Sequence, residues 1–188
     1  MQLKIITLLA TIWLLQGCAA AVVAGTASAV SAANDRRTIG SQIDDNNIEI
    51  KATIALKKVP ALSEKANISV VSVNGTLLLV GQVPSDSLMS QAEQAVRNAV
   101  TVKQIHNQLR IGTRIGITTQ TYDTWLTSKV KTKLLTAETI TGNNIKVVTE
   151  NSEVFLMGLV SEAEADQAVE IARHINGVAR VIKAFEYL

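Results

Sequence analysis

An internal repeat constrains this chain more than any other feature. Residues 67–83, N-I-S-V-V-S-V-N-G-T-L-L-L-V-G-Q-V, align without a gap on residues 144–160, N-I-K-V-V-T-E-N-S-E-V-F-L-M-G-L-V, at an offset of 77. Each copy reads as a strand, a two-residue turn and a second strand. Asn74-Gly75 is a strong type I′ hairpin signal, and Asn151-Ser152 is a weaker one. Amphipathic helices flank each hairpin, at about 45–59 and 86–100 in the first copy and about 123–137 and 162–175 in the second. Ser161 and Glu164 form a capping box that starts the last helix. A closing strand follows in each copy, with Val102, Ile105 and Leu109 matching Val178, Val181 and Phe185.

The fold class is therefore α+β, with the order α-β-β-α-β occurring twice. Each unit should hold a three-stranded mixed sheet packed on two helices that share one face. The helical crossover makes the second and third strands parallel. One sheet face per unit is left uncovered, so the two units are expected to pack on each other. Gly81 and Gly158 occupy matching positions inside the second strands. A glycine there weakens a strand unless something approaches closely. Both are read as structural, admitting a helix side chain or a bulge.

Residues 1–17 read as a signal peptide: Lys4 is a short positive n-region, and Ile5 to Leu15 an apolar run too short to span a bilayer comfortably. It ends in Leu15-Gln16-Gly17-Cys18, the pattern of a bacterial lipobox. The chain has a single cysteine, so Cys18 is the expected lipidation site, and an intrachain disulfide is impossible. The absence of aspartate directly after Cys18 fits the sorting pattern of outer-membrane lipoproteins. Residues 18–42 read as lipidated N-terminus and linker, with a small-residue tether up to Ala33. Residues 43–111 form the first unit, 112–121 a linker, and 122–188 the second unit.

The functional signal lies in the first helix of the second unit. Leu126, Val130 and Leu134 make an ordinary core stripe. Trp125, Ser128, Thr132 and Leu135 share a different face, flanked by Lys129, Lys131 and Lys133. A second apolar face needs a second partner. An anionic membrane surface meets both the apolar and the cationic features. A neighbouring domain or loop covering Trp125 meets the apolar one.

The first copy acts as an internal control. Aligning Lys51 with Lys129 puts Asn47 opposite Trp125, Ile50 and Ile54 opposite Ser128 and Thr132, and Lys57 opposite Leu135. The first helix lacks tryptophan and carries Asp44, Asp45 and Glu49, read as sitting near its start and repelling anionic lipid. Its outer isoleucines are expected to pack against the other unit.

Other chemistries find little support. With 18 basic and 16 acidic residues and a net charge of +2, the chain lacks the basic excess of a nucleic-acid binder. His106 and His174 have no nucleophile or thiol arranged around them, and Asp86, Glu162, Glu164 and Asp166 suit helix starts. No catalytic residue, metal site or cofactor is expected.

These residues carry a resemblance. The α-β-β-α-β repeat with its mid-strand glycine resembles the BON domain of periplasmic and lipid-associated bacterial proteins. Residues 37–45, 77–82, 123–131 and 154–160 are similar to lipidated two-domain members of that family. The resemblance implies a protein anchored in the outer membrane and facing the periplasm. It implies anionic phospholipid binding by the first helix of the second BON domain, through the Trp125 and Leu135 positions and the lysines beside them. It also implies enrichment at the division site and support of outer-membrane integrity. The competing reading is a periplasmic adaptor, for example to the outer-membrane protein assembly machinery. Arg36 stands where the resemblance leads us to expect proline, implying a less rigid linker.

Overall fold

The computed structural model describes residues 35–188. The signal peptide, Cys18 and the small-residue tether lie outside the described residues. The first unit runs α1 (Ile39–Lys57), α2 (Pro60–Lys65), β1 (Asn67–Val73), β2 (Thr76–Val83), α3 (Asp86–Ala99) and β3 (Gln104–Ile111). The second runs α4 (Ile117–Leu135), a 3₁₀ turn (Gly142–Asn144), β4 (Ile145–Glu150), β5 (Glu153–Val160), α5 (Glu162–Arg173) and β6 (Arg180–Tyr187). Each sheet has its hairpin pair antiparallel and its crossover pair parallel, in the orders β1-β2-β3 and β4-β5-β6. This is the expected α-β-β-α-β order with one added short helix, α2.

The leading helices start earlier than periodicity suggested. α1 begins at Ile39, where the Thr38 hydroxyl accepts the Ser41 amide at 3.0 Å. α4 begins at Ile117, so residues 117–121 form its first turn rather than linker. These turns are mostly solvent-facing, so they add little to the buried core stripe that periodicity reads.

Strand alternation sends side chains to two separate cores. Leu77, Leu79 and Val83 pack under α1 and α3 with Ala52, Leu56, Ala92 and Val96. Val154, Leu156 and Val160 pack under α4 and α5 with Leu126, Val130, Leu134 and Ala168. The intervening residues point the other way. Val73, Leu78 and Val80 of the first sheet meet Phe155, Met157 and Ala184 of the second in a third buried cluster. The sheets therefore pack face to face with helices outside, so every strand of β2 and β5 is covered on both faces.

Polar contacts rim this interface. Glu150 accepts from Gln82 Nε2 at 2.7 Å and Asn67 Nδ2 at 3.4 Å, and burial there pushes its carboxyl above the ordinary range. Glu186 accepts from Lys103 Nζ at 2.7 Å and Asn74 Nδ2 at 2.8 Å. Glu153 pairs with Arg110 across the interface and with Arg180 within its own unit.

One carboxylate per unit ties the leading helix to the hairpin turn. Asp45 accepts the Asn74 amide at 2.7 Å and the Gly75 amide at 2.9 Å. Asp123 accepts the Asn151 amide at 2.7 Å and the Ser152 amide at 2.9 Å. All four turn residues have positive φ, 52° and 77° in the first turn and 50° and 64° in the second, as a type I′ turn requires. Asp45 was read from sequence as a charge near a helix start. It is instead buried, well inside α1.

The mid-strand glycines admit backbone rather than a helix side chain. Gly81 (φ 131°) and Gly158 (φ 155°) lie where an added Cβ would overlap the carbonyl oxygens of Asn67 and Asn144. Those carbonyls belong to the start of the paired hairpin arm, so only glycine lets the arms close there.

The Asp123 contact should dominate the stability of the second unit. Asp123→Ala leaves two turn amides without their charged acceptor and should cost about 3 kcal/mol in urea unfolding. Ser152→Gly relieves a left-handed serine and should add about 0.5–1 kcal/mol. Equal midpoints for Asp123→Ala and the parent would show that the carboxylate is not a structural tie.

Candidate functional site on helix α4

α4 keeps its core stripe inward: Leu126, Val130 and Leu134 are fully buried. Asp123 and Thr127 face the β4–β5 hairpin, and Thr127 Oγ1 lies 2.7 Å from Thr149 Oγ1. Trp125 is 51% exposed, Leu135 48% and Ile117 80%, so neither the other unit nor a described loop covers the outer face. Ser128 and Thr132 lie exposed between the apolar side chains.

The hydroxyls on this face are already satisfied. Thr121, Thr124, Ser128, Thr132 and Thr136 each donate to the carbonyl four residues earlier, at 2.9, 2.9, 3.0, 2.9 and 3.0 Å. The residues recur mainly at i, i+4, which stacks each hydroxyl over a carbonyl of the turn before it. Such a ridge leaves water at lower cost than free hydroxyls would, because no donor loses its only partner. Sequence reading noted two of these residues as face positions but missed the ladder. Its signal was present as hydroxyl residues spaced four apart.

An aromatic and cationic cluster sits at the middle of the ridge. The Tyr122 and Trp125 ring centroids lie 5.4 Å apart at 37°. The Lys129 ammonium lies 4.8 Å from the Trp125 ring centroid, within cation–π range. It also donates to the Asn176 carbonyl at 3.2 Å. Gly177, at φ 106°, leaves room for the Tyr122 hydroxyl. The loop before β6 thus holds Lys129 and Tyr122, the two side chains that touch the indole.

The three lysines do not act together. Lys133 is exposed beside the ridge and Lys129 is half-buried against Trp125. Lys131 turns away, and its ammonium donates to the carbonyls of Gly142 at 3.0 Å and Ile145 at 2.6 Å. It anchors the 3₁₀ turn to α4 rather than lining the outer face. The spacing of alternate lysines already held this signal, because residues two apart on a helix point in nearly opposite directions, which sets Lys131 away from Lys129 and Lys133.

The segment entering α1 is fastened to the second unit. The Arg36 guanidinium forks onto Glu164 at 2.7 and 2.9 Å, and its backbone amide donates to Asn144 Oδ1 at 3.3 Å. Glu164 also closes the expected capping box, accepting the Ser161 amide at 3.0 Å. Arg36 was expected to loosen the linker in place of proline. It pins residue 36 beside α5 instead.

The histidines take no part in this face. His106 lies half-buried on β3 with Nε2 unpartnered, and burial lowers its pKa. His174 is exposed, its Nδ1 2.8 Å from the Glu170 carbonyl. Among the described residues no acidic or histidine cluster could hold a metal ion, and no helix is long and apolar enough to cross a membrane.

The model of the BON domain matches this chain twice, over residues 44–113 and 122–188. The chain belongs to the BON family. It is 38% identical over 185 residues to the outer membrane lipoprotein DolP of Haemophilus influenzae, covering 98% of this chain and 96% of that one. It is 41% identical over 154 residues to a 21 kDa hemolysin of Actinobacillus pleuropneumoniae, covering 82% and 79%. Osmotically-inducible protein Y of Escherichia coli matches at 29% over 146 residues, covering 76% and 72%. Both BON domains carry the leading helix, but only the second places an aromatic pair and a cation on its outer face.

The Arg36–Glu164 pair gives a pH signature. Its hydrogen bonds hold the Glu164 carboxyl at about 2 instead of 4.5. A depressed carboxylate contributes stability in full above its unfolded value and loses it as pH falls toward the folded value. Arg36→Ala should melt about 3 °C below the parent at pH 7. That gap should close as the pH drops from 4.5 to about 2, which thermal unfolding across this range will check.

Proposed function

We propose that this protein is an outer-membrane lipoprotein, anchored through Cys18 and facing the periplasm, whose second BON domain binds anionic phospholipid through α4. The observation that carries the reading is the free outer ridge of that helix: Trp125 and Leu135 are half exposed, with self-satisfied hydroxyls between them. The indole and leucine would enter the interfacial region, with Ser128 and Thr132 between them and the ammonium groups of Lys129 and Lys133 at the phosphate level. Lys131 belongs to the fold, not to this contact. Similarity to a protein named outer membrane lipoprotein over nearly its whole length supports the anchoring, as does the lipobox at Cys18.

Magnitudes favour weak, reversible contact. Each lysine near a strongly anionic surface contributes about 1 kcal/mol. Two of them with an inserted tryptophan and leucine give modest affinity, and the lipid anchor supplies the local concentration that makes modest affinity sufficient. Contact of this kind would tether the domain to lipid-rich zones such as the division site, and so support outer-membrane integrity there.

Vesicle co-sedimentation tests the reading. Binding should rise with the anionic lipid fraction and fall with added salt. Trp125→Glu should lower affinity for anionic vesicles at least ten-fold while leaving the melting temperature unchanged, because the side chain is outside the core. Lys133→Gln should cost about five-fold. Unaltered binding by Trp125→Glu would remove α4 as the lipid site. Absence of vesicle binding by the parent would favour the adaptor reading instead.

A further inference from the structure

The outer face of α1 should have been covered by the other unit, and it is not. Ile39, Ile43, Ile50 and Ile54 are between 48 and 69% exposed. At 100° per residue they fall within an arc of roughly 60°, so they form one straight aliphatic stripe. Asn46 and Asn47 straddle the middle of that stripe, both exposed. The stripe is structurally distinct from the α4 ridge: it has no aromatic residue. Its central flanks carry Asp44, Asn46, Asn47 and Glu49, with Lys51 the one lysine beside them. Those properties suit a protein surface better than an anionic bilayer.

We infer that α1 is the contact surface for a second copy of this chain, in a two-fold antiparallel helix pair. The stripe is palindromic. Laid antiparallel on itself about the Asn46–Asn47 midpoint, Ile39 meets Ile54, Ile43 meets Ile50, and each asparagine meets its own counterpart beside the axis. An isologous interface needs this self-complementarity, in which residue i contacts j and j contacts i.

The charges obey the same symmetry. Asp44 and Lys51 share one flank of the stripe, are both exposed, and have no partner among the described residues. The two-fold operation brings Asp44 of each copy toward Lys51 of the other, satisfying both pairs at once. The neighbouring acidic residue does not compete. Glu49 is on the other flank, engaged by Lys146 at 3.1 Å and by the Ser72 amide at 2.8 Å.

The pairing is weak by construction. One face of a 19-residue helix covers less than the roughly 800 Å² per partner of a standard interface. It therefore forms where copies are concentrated, as in a membrane plane holding lipid-anchored chains. The inference does not depend on what α4 binds, since it uses a different helix and different residues.

Cross-linking of the full chain in native membranes tests it. Asn47→Cys puts a thiol beside the two-fold axis, and a short bis-maleimide should give at least ten-fold more covalent dimer than Glu170→Cys, an exposed control on α5. Adding Ile50→Lys should reduce the yield to the control level. In the Asn47→Cys background, Asp44→Lys and Lys51→Asp should each lower the yield, and the two together should restore it. All of these side chains are exposed, so the fold should survive every change. Equal yields from Asn47→Cys and Glu170→Cys would overturn the pairing, and would leave lipid or another protein as the cover for the stripe. A double exchange no better than either single would overturn it as well.

Discussion

The structure depends on a carboxylate that reaches from a helix to a turn. Asp45 and Asp123 each accept two consecutive amides from a hairpin whose residues all have positive φ. Without an acceptor those amides would point at helix packing with no partner, and the turn would be free to shift register. With it, the leading helix, the hairpin and the strand alternation become one rigid piece. The strain of a left-handed Ser152 is borne because two charge-assisted hydrogen bonds hold it. The mid-strand glycines complete the same device by letting the arms of each hairpin approach at the opposite end.

Once each hairpin is locked, the alternation along β2 and β5 decides everything else about the architecture. One set of side chains goes under the helices and the other meets the second sheet. That face-to-face packing consumes the free sheet surfaces and leaves the outer helix faces as the places where two otherwise alike units can differ. α1 and α4 share length, core stripe and aspartate, yet one presents isoleucine and the other a hydroxyl ridge with Trp125. Two copies of one unit thus offer two chemically different surfaces without disturbing a common core.

The fastening of Arg36 to Glu164 adds a geometric consequence. Arg36 holds the entry to α1 beside α5 and Asn144 of the second unit. The same glutamate caps α5, so one side chain serves the helix and the strap together.

Much of this was legible in residues 67–83 and 144–160, because turn pairs, alternation and capping boxes are local. Gap-free alignment gave two units, Asn-Gly and Asn-Ser marked the turns, and Ser161 with Glu164 marked a helix start. Helical spacing also separated Trp125 and Leu135 from the Leu126 stripe. What one chain of letters could not supply was the identity of each polar residue's partner. Asp45 finds its amides 29 and 30 residues away, Lys131 finds its carbonyls 11 and 14 away, and Arg36 finds Glu164 at 128. Short-range pattern therefore determined the elements, their order and their buried faces. Tertiary contact alone decided which carboxylates are structural and that the isoleucines of α1 stay uncovered, because each of those outcomes depends on which distant segment arrives beside it.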